Sequence, residues 1–324
     1  MNSTNEKYAV VFDTNAYRYL VRDIPIEEIE ARIQEIKDKE AVKNISPRAT
    51  PAVALELLAN LSGPGQSSHY EDCLKAIVAM GNHCYEKTEN TINIIPIPYL
   101  HIAINFFDMI PPYVELLSKN MAGIIGDFKE DYAKAVEGHQ LKESFSKFKY
   151  YVDEEESRWI KEVESFIEIV KKDVIRSNPD SQGKDLRDRM LKLIDSGDFV
   201  PRISMAIIFS MAKSLQIKMT AEEHVYKGYM LPRTFPLSVG FYQWICHRIV
   251  EANIDLQTAK SRGTRWNWRW DYEVSFLMNE HLINGRIVLL VTSDKAITEM
   301  LRDYGYGVRV MDLDTYLGFL DFSD

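Results

Sequence analysis

The amino-acid sequence predicts an α/β fold that contains a parallel sheet and a long helical region. Two five-residue apolar runs, Tyr8–Phe12 and Ile287–Val291, have the composition of strands that are buried on both faces, as in a parallel sheet. A helical segment at 295–304 leads to a third candidate strand at 308–311. Between these parts, residues 111–259 carry a helical pattern throughout, which predicts a mostly helical insertion or subdomain.

Composition and charge set limits on the class of protein. The chain has 324 residues, 46% of them hydrophobic and 27% charged, which suits one large or two ordinary folded domains. A net charge of -9 argues against a protein that coats nucleic acid, but it leaves open an acidic site that binds divalent cations. Three cysteines are too few for a disulfide framework, and the first residues do not resemble a signal peptide. We therefore expect a cytoplasmic protein without a membrane span.

The predicted helices and turns follow from local patterns along the chain. Thr50 and Pro51 form a strong helix start, an N-cap followed by proline. Glu56 is the one acid in the apolar helix that follows, so its carboxylate requires a partner. We expect turns or loops at 62–65, 177–183, 231–236 and 284–285, and an extended segment at 91–98.

Carboxylates follow the predicted strands. Asp13 comes directly after the first run, and Asp294 closes the Thr-Ser-Asp segment after the second. If these strands are neighbours, their ends lie about 5 Å apart, and two carboxylates at that distance raise each other's pKa. A Mg²⁺ or Mn²⁺ ion would relieve this repulsion and could activate water near a phosphate. The alternative is that these acids form turns or cap helices.

The combination of these segments resembles the PIN-domain family of metal-dependent nucleases. The similar segments are residues 11–15, residues 50–57, Asp271 ahead of its helix and residues 290–295, in the order of that family. The resemblance implies a three-layer α/β/α sandwich with a central parallel sheet. It also implies a catalytic Mg²⁺ or Mn²⁺ site, which would cleave RNA. The implied ligands are Asp13, Glu56, Asp271 and Asp294, the implied supporting residues are Thr14, Asn15, Thr292 and Ser293, and the nearby substitutes for Asp271 are Glu273, Asp312 and Asp314.

The resemblance also suggests a division of the chain. It covers about 6–110 and 262–324, whereas the middle departs from it. We therefore predict a PIN-like core formed by 1–110 and 261–324, with 111–260 as a helical insertion. Because an unrestrained ribonuclease would harm its own cell, we expect narrow specificity, a regulatory protein partner or a homo-oligomer.

The segment 260–270 has an unusual composition, in which four cations alternate with three tryptophans. Arginine and lysine contact phosphates, and exposed tryptophan stacks on bases. The candidate nucleic-acid contacts are Arg262, Arg265, Trp266, Trp268 and Arg269. The alternative is that the tryptophans anchor the insertion onto the core.

Three functions compete at this stage. A metal-dependent endoribonuclease is favoured, with DNA as a further substrate class. A catalytically inactive PIN-like scaffold or interaction protein is the first alternative. A phosphatase of the haloacid-dehalogenase type is the second, although that site needs an aspartate where Asn15 stands. A zinc site at His69, Cys73, His83 and Cys84 fits no standard spacing, so we expect buried thiols and surface histidines there.

Overall fold

The protein combines many helices with a small parallel sheet. The structure, a computed structural model, describes residues 7–62, 69–95, 97–110, 112–279, 283 and 285–322. Helices account for 71% of the described residues, and together with the small parallel sheet they give a mixed α and β structure. Two compact units divide it, the first from Met1–Val152 with Glu280–Asp324 and the second from Asp153–Asn279. The predicted boundaries at 110/111 and 260/261 stay a prediction.

The sheet of the first unit consists of four parallel strands. The strands of the chain are β1 (Tyr8–Phe12), β2 (Ile45–Pro47), β3 (Tyr85–Glu86), β4 (Thr91–Ile92), β5 (Ile287–Val291) and β6 (Val310–Met311). The order in the larger sheet is β2-β1-β5-β6, and β3 pairs with β4 separately in an antiparallel hairpin. The register joins Tyr8 to Ile287 and Phe12 to Val291. The two strands that were predicted to be neighbours, β1 and β5, are therefore adjacent in the sheet.

The third predicted strand is shorter than the sequence suggests. Of the predicted residues 308–311, only Val310 and Met311 pair with β5, and Gly307–Arg309 forms a turn of 3-10 helix instead. The backbone N–H of Arg309 donates to the carbonyl of Tyr306 at 2.9 Å, which closes that turn before the chain reaches the sheet. The extended segment predicted at 91–98 is likewise limited, because a helix begins at Pro98.

Helices occur before, within and after the predicted helical region, and those at Pro98–Phe107 and Leu313–Asp321 were not predicted. The helices are α1 (Thr14–Val21), α2 (Ile29–Val42), α3 (Pro51–Ala59), α4 (Tyr70–Cys84), α5 (Pro98–Phe107), α6 (Pro112–Glu130), α7 (Tyr132–Leu141), α8 (Ser144–Ser177), α9 (Gly183–Ile194), α10 (Phe199–Ser214), α11 (Ala221–Thr234), α12 (Pro236–Glu251), α13 (Ala259–Thr264), α14 (Trp268–Leu277), α15 (Lys295–Asp303) and α16 (Leu313–Asp321). No helix within the described residues has both the length and the apolar composition needed to cross a membrane.

Some of the predicted helix starts and loops are confirmed and one is wrong. The side chain of Thr50 accepts a hydrogen bond from the N–H of Val53 at 3.2 Å, so the predicted start of α3 is confirmed. The loop predicted at 177–183 separates α8 from α9. The loop predicted at 231–236 is wrong, because α11 continues through Pro232 to Thr234 and α12 begins at Pro236. Residues 63–65 and 284 of the predicted turns lie outside the described residues.

A buried polar network lies beside β1 in the core of the first unit. Nε2 of His83 lies 2.9 and 3.0 Å from the two carboxylate oxygens of Glu40, and the Tyr316 hydroxyl donates to the same carboxylate at 2.6 Å. The Tyr17 hydroxyl lies 3.0 Å from Nδ1 of His83. The ring of Phe12 contacts Tyr17, His83 and Tyr316 at centroid distances of 5.0 to 5.3 Å. The network therefore holds α1, α2, α4 and α16 around the end of β1.

The Tyr316→Phe substitution should destabilise the first unit. It removes one donor from Glu40, a buried carboxylate, at an expected cost of about 1–3 kcal/mol in the free energy of unfolding. Urea denaturation followed by circular dichroism measures this change. Tyr150→Phe is the matched control, because Tyr150 is exposed and its hydroxyl is open to water, so its loss should have little effect. Equal stability of both variants would contradict a structural role for the network.

Candidate functional site

The polar residues that follow the strands are aligned along one edge of the sheet. The backbone N–H of Asp13 donates to the carbonyl of Val291 at 3.0 Å, and that of Thr292 donates to the carbonyl of Met311 at 2.9 Å. The parallel ladder therefore continues one residue beyond the strands. As a result, Asp13, Thr292 and Asp312 emerge side by side at the carboxyl ends of β1, β5 and β6, the edge where α/β proteins place their sites.

Thr292 connects two of the predicted carboxylate positions. Its hydroxyl donates to Oδ2 of Asp13 and accepts a hydrogen bond from the backbone N–H of Asp294 at 2.9 Å. Thr292 is only 3% exposed, so its hydroxyl is fixed by the surrounding core. Thr292, a predicted supporting residue, thus orients both the Asp13 carboxylate and the backbone at Asp294. Ser293, the other predicted supporting residue in this segment, is exposed.

Each acid at this edge also caps a helix. Oδ1 of Asp13 accepts from the N–H of Ala16 at 2.5 Å, and Oδ1 of Asp294 accepts from the N–H of Ala296 at 2.7 Å. Asp312 caps α16 through the N–H of Thr315 at 2.7 Å. The capping alternative is therefore correct as a description of local structure. It explains why acids stand at these positions without requiring any chemistry from them.

The environment of Asp13 differs from that of an ordinary capping residue. Burial raises the pKa of Asp13 to about 6, although hydrogen bonds from Thr292 and Ala16 favour its charged form. The neighbouring carboxylate of Asp294 raises this pKa further. By contrast, hydrogen bonds from Thr315 lower the pKa of Asp312. Asp13 and Asp294 therefore repel each other in a setting where a bound divalent cation would stabilise both charged forms.

Glu56 lies close to this pair through Thr14. The Thr14 hydroxyl donates to Oε2 of Glu56 at 2.6 Å, and Thr14 directly follows Asp13 in the chain. Thr14, the first residue of α1, is thus a hydrogen-bond partner of Glu56, as expected for an acid in an apolar helix. Asn15, the next predicted supporting residue, accepts a hydrogen bond from Nη1 of Arg18 at 3.3 Å.

Asp271, the fourth predicted ligand, belongs to the second unit, where it lies in the first turn of α14. Its place among the ligands stays a prediction. Glu273 is in the same helix and forms an ion pair with Arg269. The other two substitutes, Asp312 and Asp314, are exposed and belong to the first unit with Asp13. Across the part of the chain that the structure describes, His, Cys, Asp and Glu side chains form no group of three or more arranged to hold one metal ion.

The tryptophans of segment 260–270 contribute to the packing of the second unit. Trp268 is buried and contacts the ring of Trp244 at 6.0 Å, so the expectation that Trp268 stacks on bases is corrected. Trp270 is also buried, and its Nε1 donates to Glu156 at 2.9 Å. Nε1 of Trp266 donates to the carbonyl of Leu256 at 2.9 Å. All of these contacts lie within the second unit, so the anchoring of the insertion onto the core stays a prediction.

The cations of this segment have varied surroundings. Arg269 lies 3.8 Å from Glu155 in addition to its pairing with Glu273. Arg265 donates to the Ser261 hydroxyl at 3.0 Å, and the exposed Arg262 lies over the Trp266 ring. Nucleic-acid contact by Arg262, Arg265 and Arg269 stays a prediction.

The histidines and cysteines that could suggest zinc have other partners. His83 is buried against Glu40, so the expectation of a surface histidine is wrong there. Nδ1 of His69 lies 2.7 Å from Nη2 of Arg18. Burial raises the pKa of Cys73 to about 11 and that of Cys84 to about 12, which disfavours the thiolates that bind metal. All three cysteines of the chain are free and buried.

Arg18 is a residue of this region that the sequence patterns did not single out. It lies on α1 four residues after Thr14, and therefore on the same side of the helix. The spacing from the Asp-Thr-Asn segment is the signal that could have identified it.

The Asp13→Asn substitution should change how stability depends on pH. Because the folded pKa of about 6 exceeds the ordinary value of 3.8, the wild-type contribution is fully present below about pH 4 and is lost as the pH rises through 6. The stability of the variant relative to wild type should therefore increase by about 3 kcal/mol between about pH 4 and about pH 8. Urea unfolding in a chelator measures this difference.

Asp312→Asn provides a control of opposite sign. The pKa of Asp312 is lowered in the folded state, so its contribution is present at neutral pH and is lost on acidification. The control variant should be less stable than wild type at about pH 8. If both variants follow the wild-type pH dependence, the surroundings of Asp13 are not as described.

Comparison with known proteins identifies no relative of this chain. The chain matches no protein-family model, no curated protein and no solved structure. The interpretation of the site therefore depends on the geometry of Asp13, Thr292, Asp294 and Glu56.

Proposed function

We propose that the protein is a divalent-metal-dependent nuclease, with RNA as the favoured substrate and a PIN-like α/β/α core. One observation carries the proposal: the Asp13 carboxyl has a raised pKa, is oriented by Thr292 and is repelled by Asp294. Perturbed carboxyl groups of this kind are concentrated at functional sites. The edge of a parallel sheet is also the usual place for such a site.

The donor atoms suit Mg²⁺ or Mn²⁺. Asp13 and Asp294 would hold the ion, with Glu56 connected to Asp13 through Thr14; Asp312 and Asp314 are the substitutes within the same unit as Asp13. Carboxylate oxygens are the ligands that these hard cations prefer, and each oxygen that accepts one hydrogen bond retains a lone pair for a metal. When bound, the ion would neutralise charge on a scissile phosphate and activate water.

The other residues of the site would keep these carboxylates in place. Thr292 fixes the Asp13 carboxylate through its hydroxyl, and Thr14 does the same for Glu56 at 2.6 Å. The N–H groups at the starts of α1 and α15 hold one oxygen each of Asp13 and Asp294. Such supporting contacts commonly change metal affinity or activity by about 10- to 100-fold when they are removed.

A catalytically inactive scaffold is the second candidate function. It is favoured by the capping contacts, because helix capping alone accounts for Asp13, Asp294 and Asp312. A haloacid-dehalogenase-type phosphatase has less support, since Asn15 is directed to Arg18 and replaces the second aspartate that such a site needs.

The test is cleavage of labelled single-stranded RNA, and of DNA with the same sequence, by purified protein with Mg²⁺ or Mn²⁺. We expect cleavage that stops in a chelator and falls by at least about 100-fold in Asp13→Asn and in Asp294→Asn, because each variant removes a charged ligand. Thr292→Val should lose about 10- to 100-fold. Asp38→Asn, which alters an exposed acid of α2, should retain full activity.

The opposite result would favour the alternatives. If neither nucleic acid is cleaved and calorimetry detects no Mn²⁺ binding, the nuclease proposal is wrong and the scaffold is preferred. An acyl-phosphate trapped on Asp13 would instead support the phosphatase.

A further inference from the structure

We propose that the exposed face of α1 binds the substrate strand, a single-stranded RNA, and directs it to the carboxylates at the edge of the sheet. This inference rests on the proposed nuclease function. Four side chains form the surface, which we call the α1 track: Asn15, Arg18, Tyr19 and Arg22. They occur at positions i, i+3, i+4 and i+7, the spacing of one helical face.

The track begins beside the carboxylates and extends away from them. Asp13 caps α1, and Asn15 is the second residue of the helix. From Thr14 to Arg22, the residue that follows α1, the chain rises about 12 Å, at 1.5 Å per residue. The opposite face of α1, formed by Ala16, Tyr17, Leu20 and Val21, is buried. The helix therefore has a fixed orientation, in which Tyr19 and Arg22 are exposed and Asn15 and Arg18 are partly exposed.

The track is cationic in a chain of net charge -9. Arg18 lies 3.5 Å and Arg22 4.0 Å from the same carboxylate oxygen of Asp72 on α4. One carboxylate therefore pairs with two guanidinium groups, so the cluster of Arg18, Arg22 and Asp72 carries a net positive charge. Nη1 of Arg18 also donates to Asn15, and its Nη2 lies 2.7 Å from Nδ1 of His69. Arg18 is thus held in position, whereas the side chain of Arg22 is 48% exposed and can reach a phosphate.

An aromatic ring, that of Tyr19, lies against Arg22. Tyr19 remains 46% exposed although the guanidinium of Arg22 lies 4.6 Å from its ring centroid. Proteins that bind single strands combine cations for phosphates with aromatic rings on which bases stack. A duplex keeps its bases stacked within the helix, so an isolated tyrosine beside arginines favours a single strand.

The competing explanation is that Arg18 and Arg22 only connect α1 to α4 through Asp72. That role requires neither an exposed tyrosine nor two cations for one carboxylate. The two explanations differ in a measurable way. If the arginines bind the strand, replacing them should weaken RNA affinity and reduce its salt dependence. If they only connect the two helices, replacing them should change the stability of the protein alone.

Binding is measured by fluorescence anisotropy of a labelled single-stranded RNA, in a chelator so that the strand is not cleaved, over a series of salt concentrations. Arg22→Gln should weaken affinity and reduce the salt slope by about 0.7, as expected when one phosphate contact is lost. Tyr19→Ala should weaken affinity at least about fivefold, whereas Tyr19→Phe retains the stacking ring and should bind as wild type. Arg18→Gln should also bind more weakly, with its thermal midpoint measured in parallel because this side chain is partly buried.

Arg32→Gln is the matched control, since Arg32 is a partly exposed arginine on α2 that pairs with Glu35. It should bind RNA as wild type does. If wild type does not bind the strand, or if Arg22→Gln and Tyr19→Ala bind as wild type, the proposal that the α1 track binds RNA is wrong. Failure of the nuclease proposal is distinct: the variants would still weaken binding, but wild type with Mn²⁺ would not cleave.

Discussion

The pairing of β1 with β5 is the constraint on which the candidate site depends. It joins two segments from opposite ends of the sequence in a register that aligns Phe12 with Val291. The ladder continues to Asp13, and the Thr292 hydroxyl then reaches the Asp13 carboxylate across 279 residues of sequence. A shift of one residue would direct these side chains to the opposite face of the sheet. Because both strands are apolar at nearly every position, their pattern does not distinguish one register from another, so the packing around them fixes the register and therefore the site.

The acids at the sheet edge show how one position can meet two requirements. Asp13 and Asp312 both cap helices, but their surroundings move their pKa values in opposite directions. A capping carboxylate normally gains from its hydrogen bonds, as Asp312 does, since these bonds favour the charged form. At Asp13, burial and the carboxylate of Asp294 raise the pKa by more than the hydrogen bonds lower it. Capping explains the presence of Asp13, but its unfavourable charged state is what motivates the proposal of a bound cation.

The buried network beside β1 gives this edge a rigid support. The Phe12 ring, one residue before Asp13, contacts the rings of Tyr17, His83 and Tyr316. His83 and Tyr316 are joined through Glu40, and Tyr17 is joined to His83. Sequence patterns could not predict this arrangement. Glu40 lies in a helix rich in charged residues, where an acid is usually solvated, and Tyr316 comes from the far end of the chain. Its burial depends on four helices that meet only in the folded state.

The sequence by itself determined the features that depend on local pattern. The apolar runs predicted β1 and β5, Thr50 and Pro51 predicted the start of α3, and the acids after the strands predicted the carboxylate pair. Tertiary structure decided what depends on distant partners. It shortened the third strand, buried Trp268 against Trp244, assigned Asp271 to a different unit from Asp13 and exposed the track on α1. Local patterns record backbone preference and average burial, whereas pairing partners and exposed faces are set by packing between segments far apart in the chain.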